Sequence, residues 1–177
     1  MVIINWKNGV MANLDEKVVY NTEDRIKIDE DRISKLKSIA AKNESKNVTM
    51  CLHRTHDVAV HEMINVYPKG MYVRPHKHLD KTETKHMIEG KMLMLMFDEE
   101  GGVTDKFVIG EKGSGECLAY RIDKNLYHSI IPLSETIVYH EIISGPYTGT
   151  NDSIFPEWAP EIDDQKGIQE FIDRVGK

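Results

Sequence analysis

A chain of 177 residues folding as one domain buries roughly 70% of its unfolded surface, and it is too short for two domains of ordinary size. Its 29 acidic residues outnumber 23 basic ones, giving a formal charge of −6, which argues against nucleic acid or an anionic membrane as the main partner. The composition, 40% hydrophobic and 29% charged, is that of a soluble globular protein, and no stretch approaches the ~18 apolar residues that a membrane-spanning helix requires.

The N-terminus, MVIINWKNGVMANLDEKVVY, breaks each apolar run with charge at Lys7, Asp15, Glu16 and Lys17 and offers no small-residue cleavage site. No signal peptide is expected, and the protein reads as cytoplasmic. Cys51 and Cys117 are then expected as reduced thiols rather than a disulfide framework. Short alternating runs at Val2 to Trp6, Lys17 to Tyr20 and Ile26 to Ile28 suit small strands at a sheet edge.

The period then changes. Asp29 is an N-cap candidate, Glu30 and Asp31 sit where the helix dipole favours negative charge, and Ile33, Leu36, Ile39 and Ala40 recur at three- and four-residue spacing. These signals predict an amphipathic helix over about 30–42. From Val48 to Ser144 strands follow one another, with turn signals at 68–70, 89–90, 99–102, 110–115, 123–125 and 134–135. A strand about every ten residues points to a mainly β sandwich or barrel. In Met92 to Phe97 both alternate faces are apolar, so that strand is expected to be covered on both sides. The segment Asp164 to Val175, with Ile168, Phe171, Ile172 and Val175, reads as a short closing helix. The organisation expected is an N-terminal extension over 1–47, a barrel over 48–147 and a C-terminal tail over 148–177.

The chemistry gathers in the segment GMYVRPHKHLDKTETKHMIEG, residues 70–90. On a strand, residues i and i+2 project from one face, so His76 and His78 can reach a single ion together. A short turn then lets Glu83, at the start of the next strand, add a carboxylate beside them. Arg74 and Tyr72 share the parity of the two histidines. Arg74 could grip a substrate carboxylate or phosphate bidentately or pair with an acidic neighbour, and Tyr72 could line the pocket wall. His53 has two open readings, a structural hydrogen bond or a place at the pocket mouth. His56 and His61 read as surface groups. His86, an odd number of residues from Glu83, faces away from the ion as a core or interface histidine. Alternation sends only one of His140 and Glu141 inward.

The spacing G-x5-H-x-H-x4-E-x6-G, from Gly70 through Gly90, resembles the first motif of the cupin superfamily. That resemblance implies a double-stranded β-helix, or jelly-roll, barrel holding a metal. It also implies a fourth ligand from a second motif, P-x-G-x-x-H, which Asp123-Lys124-Asn125-Leu126-Tyr127-His128 matches at His128. Asn125 stands where the motif has Gly, and Asn tolerates positive φ better than most residues, so the turn can survive.

A narrower set of motifs resembles the WbuC family of cupin-fold metalloproteins, which are often associated with surface-polysaccharide gene clusters. The set comprises Cys51-Leu52-His53, Tyr72 to His78, Met96 to Gly101, Gly145-Pro146-Tyr147 and Phe155 to Pro160. The resemblance implies one divalent ion, Fe, Mn, Ni or Zn, on His76, His78, Glu83 and His128. It also makes Glu141 a candidate for moving protons beside that ion. Such a site would either polarise a sugar or nucleotide-sugar carbonyl for isomerisation or epimerisation, or run oxygen chemistry as a dioxygenase, or bind a small molecule without transforming it. Cupins often pair through edge strands, so a homodimer is expected.

Overall fold

Residues 17–176 are described by the computed structural model, so the expected strand from Val2 to Trp6 lies outside the described residues. The elements run β1 (Val18–Tyr20), α1 (Glu30–Lys42), β2 (Val48–Cys51), β3 (Val60–Pro68), β4 (Glu83–Glu89), β5 (Lys91–Phe97), β6 (Val103–Gly110), β7 (Ala119–Ile122), β8 (Tyr127–Pro132), β9 (Thr136–Ser144) and α2 (Gln165–Val175). Each turn signal in the barrel segment falls between two of these strands. At Gly90 the reversal needs φ of 81°, and a side chain there would press on the Thr136 carbonyl at 2.9 Å, so glycine is required.

α1 begins where its sequence signals place it. The Asp29 side chain accepts from the Arg32 N–H, and Ile33, Leu36, Ile39 and Ala40 are buried. They pack on Val48, Met50, Ile64, Val66 and Val138, the outer face of the larger sheet. Ile26 and Ile28 form no strand. The chain there turns into the Asp29 cap, and the two isoleucines pack against the α1 cluster instead of pairing.

Two sheets face each other, one ordered β1-β2-β3-β9-β4-β7 and the other β6-β5-β8. Apart from the parallel β1–β2 pair, neighbours are antiparallel. Met87, Met92, Met94, Ile109, Ile130, Ile137 and Tyr139 fill the space between the sheets. β5 is covered on both sides as its composition predicts. Met92 and Met94 point into the barrel, while Leu95 and Phe97 lie under Phe171 and Val175 of α2. No helix among the described residues is long and apolar enough to cross a membrane.

Cross-strand register sets the lining of the barrel, because directly opposed residues share a face. His61 on β3, Ile143 on β9 and Glu83 on β4 form one row near the barrel mouth. One step deeper lie Cys51, Met63, Glu141, Lys85 and Tyr120. Deeper again are Asn65, Tyr139 and Met87.

Candidate metal centre

His76, His78, Glu83 and His128 converge, each offering a ligand atom within 4.8 Å of the others. Their rings lie close, His76 to His128 at 4.5 Å and His76 to His78 at 5.1 Å between centroids. Glu83 Oε2 stands 3.5 Å from both His78 Nε2 and His128 Nε2. Metal–ligand bonds of about 2.1 Å put neighbouring ligand atoms roughly 3–4 Å apart, so this set can close on one ion with small movements. His128 Nε2 is buried with no hydrogen-bond partner, an arrangement that costs free energy unless something else takes the lone pair. A divalent ion would do so, and neutral imidazoles with a carboxylate are a donor set that suits Fe, Mn, Ni or Zn.

Each imidazole is aimed by its other nitrogen. His76 Nδ1 donates to the Arg74 carbonyl at 2.8 Å, His78 Nδ1 to the Asp152 carbonyl at 2.5 Å and His128 Nδ1 to the Leu126 carbonyl at 3.0 Å. Carbonyls only accept, so the proton is fixed on Nδ1 and the lone pair of Nε2 faces the centre. Burial, then the nearby His128, pushes His76 well below the ordinary imidazole range. Burial and the Lys85 ammonium hold His128 down at about 3, and burial also lowers His78. The three rings are therefore neutral, ligand-ready bases at pH 7.

The histidine pair does not sit in a regular strand. His76 and Lys77 each make a single bridge, His76 to His128 and Lys77 to Ile154, in an otherwise extended segment. His76 and His128 exchange backbone hydrogen bonds at 3.1 and 2.9 Å, which clamps the first motif to β8. Asn125 takes φ of 62°, and its N–H donates to the His78 carbonyl at 2.6 Å, so the turn survives without glycine. The tail also serves the site. Asp152 pairs with Lys81 and accepts from the Thr148 N–H, placing the carbonyl that holds His78.

Beneath the ring lies a polar chain of which only Glu141 was anticipated. Lys85 is buried, contacts Glu83 Oε1, and lies 3.0 Å from Glu141 Oε1. Asn65 Nδ2 donates to Glu141 Oε2 at 2.7 Å, and the Thr49 hydroxyl donates to Asn65 Oδ1 at 2.6 Å. Burial lowers the Lys85 ammonium, and Glu141 works against that. Strand parity could have found Lys85, since residue i+2 from an inward Glu83 is itself inward. A lysine two residues from a carboxylate reads more readily as a solvated surface pair.

Several other residues depart from their expected places. Parity fails to carry Arg74 and Tyr72 to the centre because 71–75 form no ladder. Tyr72 donates to the Pro160 carbonyl at 3.0 Å and packs on Phe171, so it braces the tail rather than a pocket wall. Arg74 pairs with Glu161 at 2.6 Å and donates to the Ala159 carbonyl at 3.3 Å. It lines a cleft of about 820 Å³ formed with residues 153–161, in which none of the four converging residues takes part. His61 is not a surface group. It is buried, stacked on His53 at 4.2 Å, with Nε2 bonded to the His56 carbonyl, because inward parity on β3 places it beside Ile143. His53 Nδ1 bonds backbone atoms of Glu62, and His56 reaches the Tyr20 hydroxyl at the exposed edge of this cluster. His86 faces away from Glu83 as alternation requires, yet it is exposed rather than in the core. Both cysteines are free, Cys51 buried and Cys117 exposed.

The CapF structure agrees with this architecture. The family model described as "Domain of unknown function (DUF6016)" matches residues 28–109. No curated protein sequence matches the chain. Among solved structures, CapF with the inhibitor 3-isopropenyl-tropolone is similar at a TM-score of 0.53 and 16% identity, over 64% of this chain and 32% of that one. Lactobacillus farciminis oxalate decarboxylase in its formate complex is similar at 0.44 and 19%, over 56% of this chain and 28% of that one. Protein SO0799 from Shewanella oneidensis is similar at 0.48 and 11%, over 60% and 72%. This chain thus spans about a third of the CapF chain. The fold is a cupin jelly roll with a short C-terminal helix, and its barrel brings together a His/Glu cluster that fits a metal ion.

Proposed function

We propose that the protein is a mononuclear metallo-cupin enzyme whose divalent ion, held by His76, His78, Glu83 and His128, acts on a sugar or nucleotide-sugar as an isomerase or epimerase. The observation that carries the reading is the buried, unpartnered His128 Nε2 within a converging three-histidine, one-carboxylate set. Bound there, the ion would supply Lewis acidity, stabilising negative charge that develops on a substrate oxygen. The chain's own residues do the rest. Backbone carbonyls of Arg74, Leu126 and Asp152 keep the histidine donors aimed, and the apolar lining of Met87, Met92 and Ile130 excludes water from below. Glu141, held by Lys85 and Asn65, takes a proton from carbon and returns it in this reading. Arg74 can contribute to substrate binding only by leaving Glu161. The link to surface polysaccharide, a homodimeric state and a cytoplasmic setting rest on the sequence resemblance and composition.

The test is incubation of metal-loaded protein with keto- and nucleotide-sugars in deuterated water, followed by proton NMR. Exchange at the carbon beside the carbonyl, lost in His76→Ala, supports the reading. Oxygen consumption without exchange would replace it with a dioxygenase. Substrates bound but recovered unaltered would replace it with a binding protein.

A further inference from the structure

Lys85 has no role in the ligand set, yet the barrel buries it against that set's one carboxylate. Its ammonium contacts Glu83 Oε1, while Glu83 Oε2 is the atom that faces His78 and His128. The same ammonium lies 3.0 Å from Glu141 Oε1, and Glu141 is tethered on its far oxygen by Asn65, itself held by Thr49. One lysine thus bridges two carboxylates in a buried row, and only one of the two belongs to the metal ring. In an interior of low dielectric, charges a few ångströms apart interact far more strongly than in water. A divalent ion on Glu83 and the Lys85 ammonium therefore compete for the same carboxylate. Without the ion, the local charge of Glu83, Lys85 and Glu141 together is −1.

Resting on the metal-centre reading above, we infer that Lys85 and Glu141 form a built-in counter-charge pair that sets the affinity of the site for its divalent ion. Lys85 opposes the ion by holding Glu83. Glu141 favours the ion by drawing Lys85 off Glu83 and adding a negative charge behind the ring. In setting metal affinity the pair acts through Glu83 as a positioning device, separately from any proton transfer by Glu141. Its signature is an order of affinities that follows charge. Lys85→Met makes the row −2, Glu141→Gln makes it 0, and the double variant restores −1.

The experiment is titration of chelator-treated full-length protein with Mn²⁺ at one fixed pH. Free Mn²⁺ is followed by electron paramagnetic resonance, and circular dichroism confirms the fold of each variant. The expected result is binding tightened about tenfold or more in Lys85→Met, weakened about tenfold or more in Glu141→Gln, and returned near wild type in the double variant, the usual scale for groups that hold a metal ligand. A lysine that matters only for packing would weaken binding or leave it unchanged on removal. Unchanged or weaker binding in a folded Lys85→Met protein therefore overturns the inference. Should Lys85→Met fail to fold, Glu141→Gln decides alone, and unaltered affinity there overturns it. Wild-type protein that takes up no Mn²⁺ overturns the metal-centre reading and this inference together, whereas wild-type binding with indifferent variants overturns this inference only.

Discussion

Acidifying the metal-free protein should unfold it earlier than its carboxylates alone would. His128 is buried and held at about 3, against 6.5 for an ordinary imidazole. Its folded value is lowered, so between those values the unfolded chain binds a proton that the folded one refuses, and stability rises with pH. The stabilisation is complete above about pH 6.5 and falls as pH drops below it. Each pH unit well inside that window costs about 1.4 kcal/mol, so, integrating through the half-slope near pH 6.5, going from about pH 6.5 to about pH 4.5 removes about 2 kcal/mol through His128 alone. That is a large share of the ~5–15 kcal/mol that holds an ordinary domain together. His76 and His78 shift in the same direction and add to the slope. Asp152, raised by burial but carried net below its usual range by Lys81, gives up its contribution only below about pH 4, outside the window. The assay is urea unfolding of chelator-treated protein at several pH values, comparing wild type with His128→Leu, with the m-value checked for constancy. The variant should lose about one proton's worth of slope. Parallel profiles would refute the reasoning, because they would mean that the folded protein protonates His128 as readily as the unfolded chain does.

Other outcomes are equally specific. His76→Ala should keep the β-sheet circular dichroism signal and lose near-stoichiometric metal by elemental mass spectrometry; retained metal would remove His76 from the ligand set. Asp152→Ala breaks the Lys81 pair that steadies the carbonyl under His78, so metal affinity in a calorimetric titration should drop by about tenfold. Phe171, 4% exposed, packs on Phe97, Trp158 and Tyr72, and its change to Ala should cost about 3–5 kcal/mol in urea. A loss below about 1 kcal/mol would mean that α2 does not seal β5. Asn125→Gly relieves a φ of 62° and should leave stability and metal content unchanged, whereas Asn125→Val should reduce both.

What could be read from residues alone divides along a physical line. Features set by local chemistry were legible: the Asp29 cap and three-four spacing of α1, the turns that cut the barrel into strands, and the His76, His78 and Glu83 offsets that bring three donors to one point. Features set by pairing across the chain were not. Nothing near His61 shows that Gly145 leaves room for its ring, at 2.9 Å from where a side chain would begin, and so His61 read as surface. Nothing near Tyr72 and Arg74 shows that residues 159–161, more than eighty positions later, take up their polar atoms. Parity was a sound argument only where a ladder existed. On β9 it required that only one of His140 and Glu141 face inward, the family resemblance picking Glu141, and it failed for Tyr72 and Arg74 in 71–75, where no neighbouring strand holds the backbone flat.

The same distinction explains why the ring and its surroundings differ in legibility. A metal site needs ligands of fixed type at fixed offsets, and three of its four members come from eight consecutive residues, so the pattern survives in the linear chain. The groups that tune it are recruited by register: Lys85 opposite Glu141, Glu141 opposite Met63, Asn65 one step deeper on β3. Each is an ordinary residue in its own neighbourhood, and it acquires meaning only when three strands lie side by side. A buried lysine is tolerated here because two carboxylates meet it, and two carboxylates are tolerated side by side because the lysine separates them. Removing Lys85 leaves two carboxylates unpaired, whereas removing Glu141 leaves Lys85 to Glu83 alone, and it is this sharing that lets a change at Glu141 be felt at the ion.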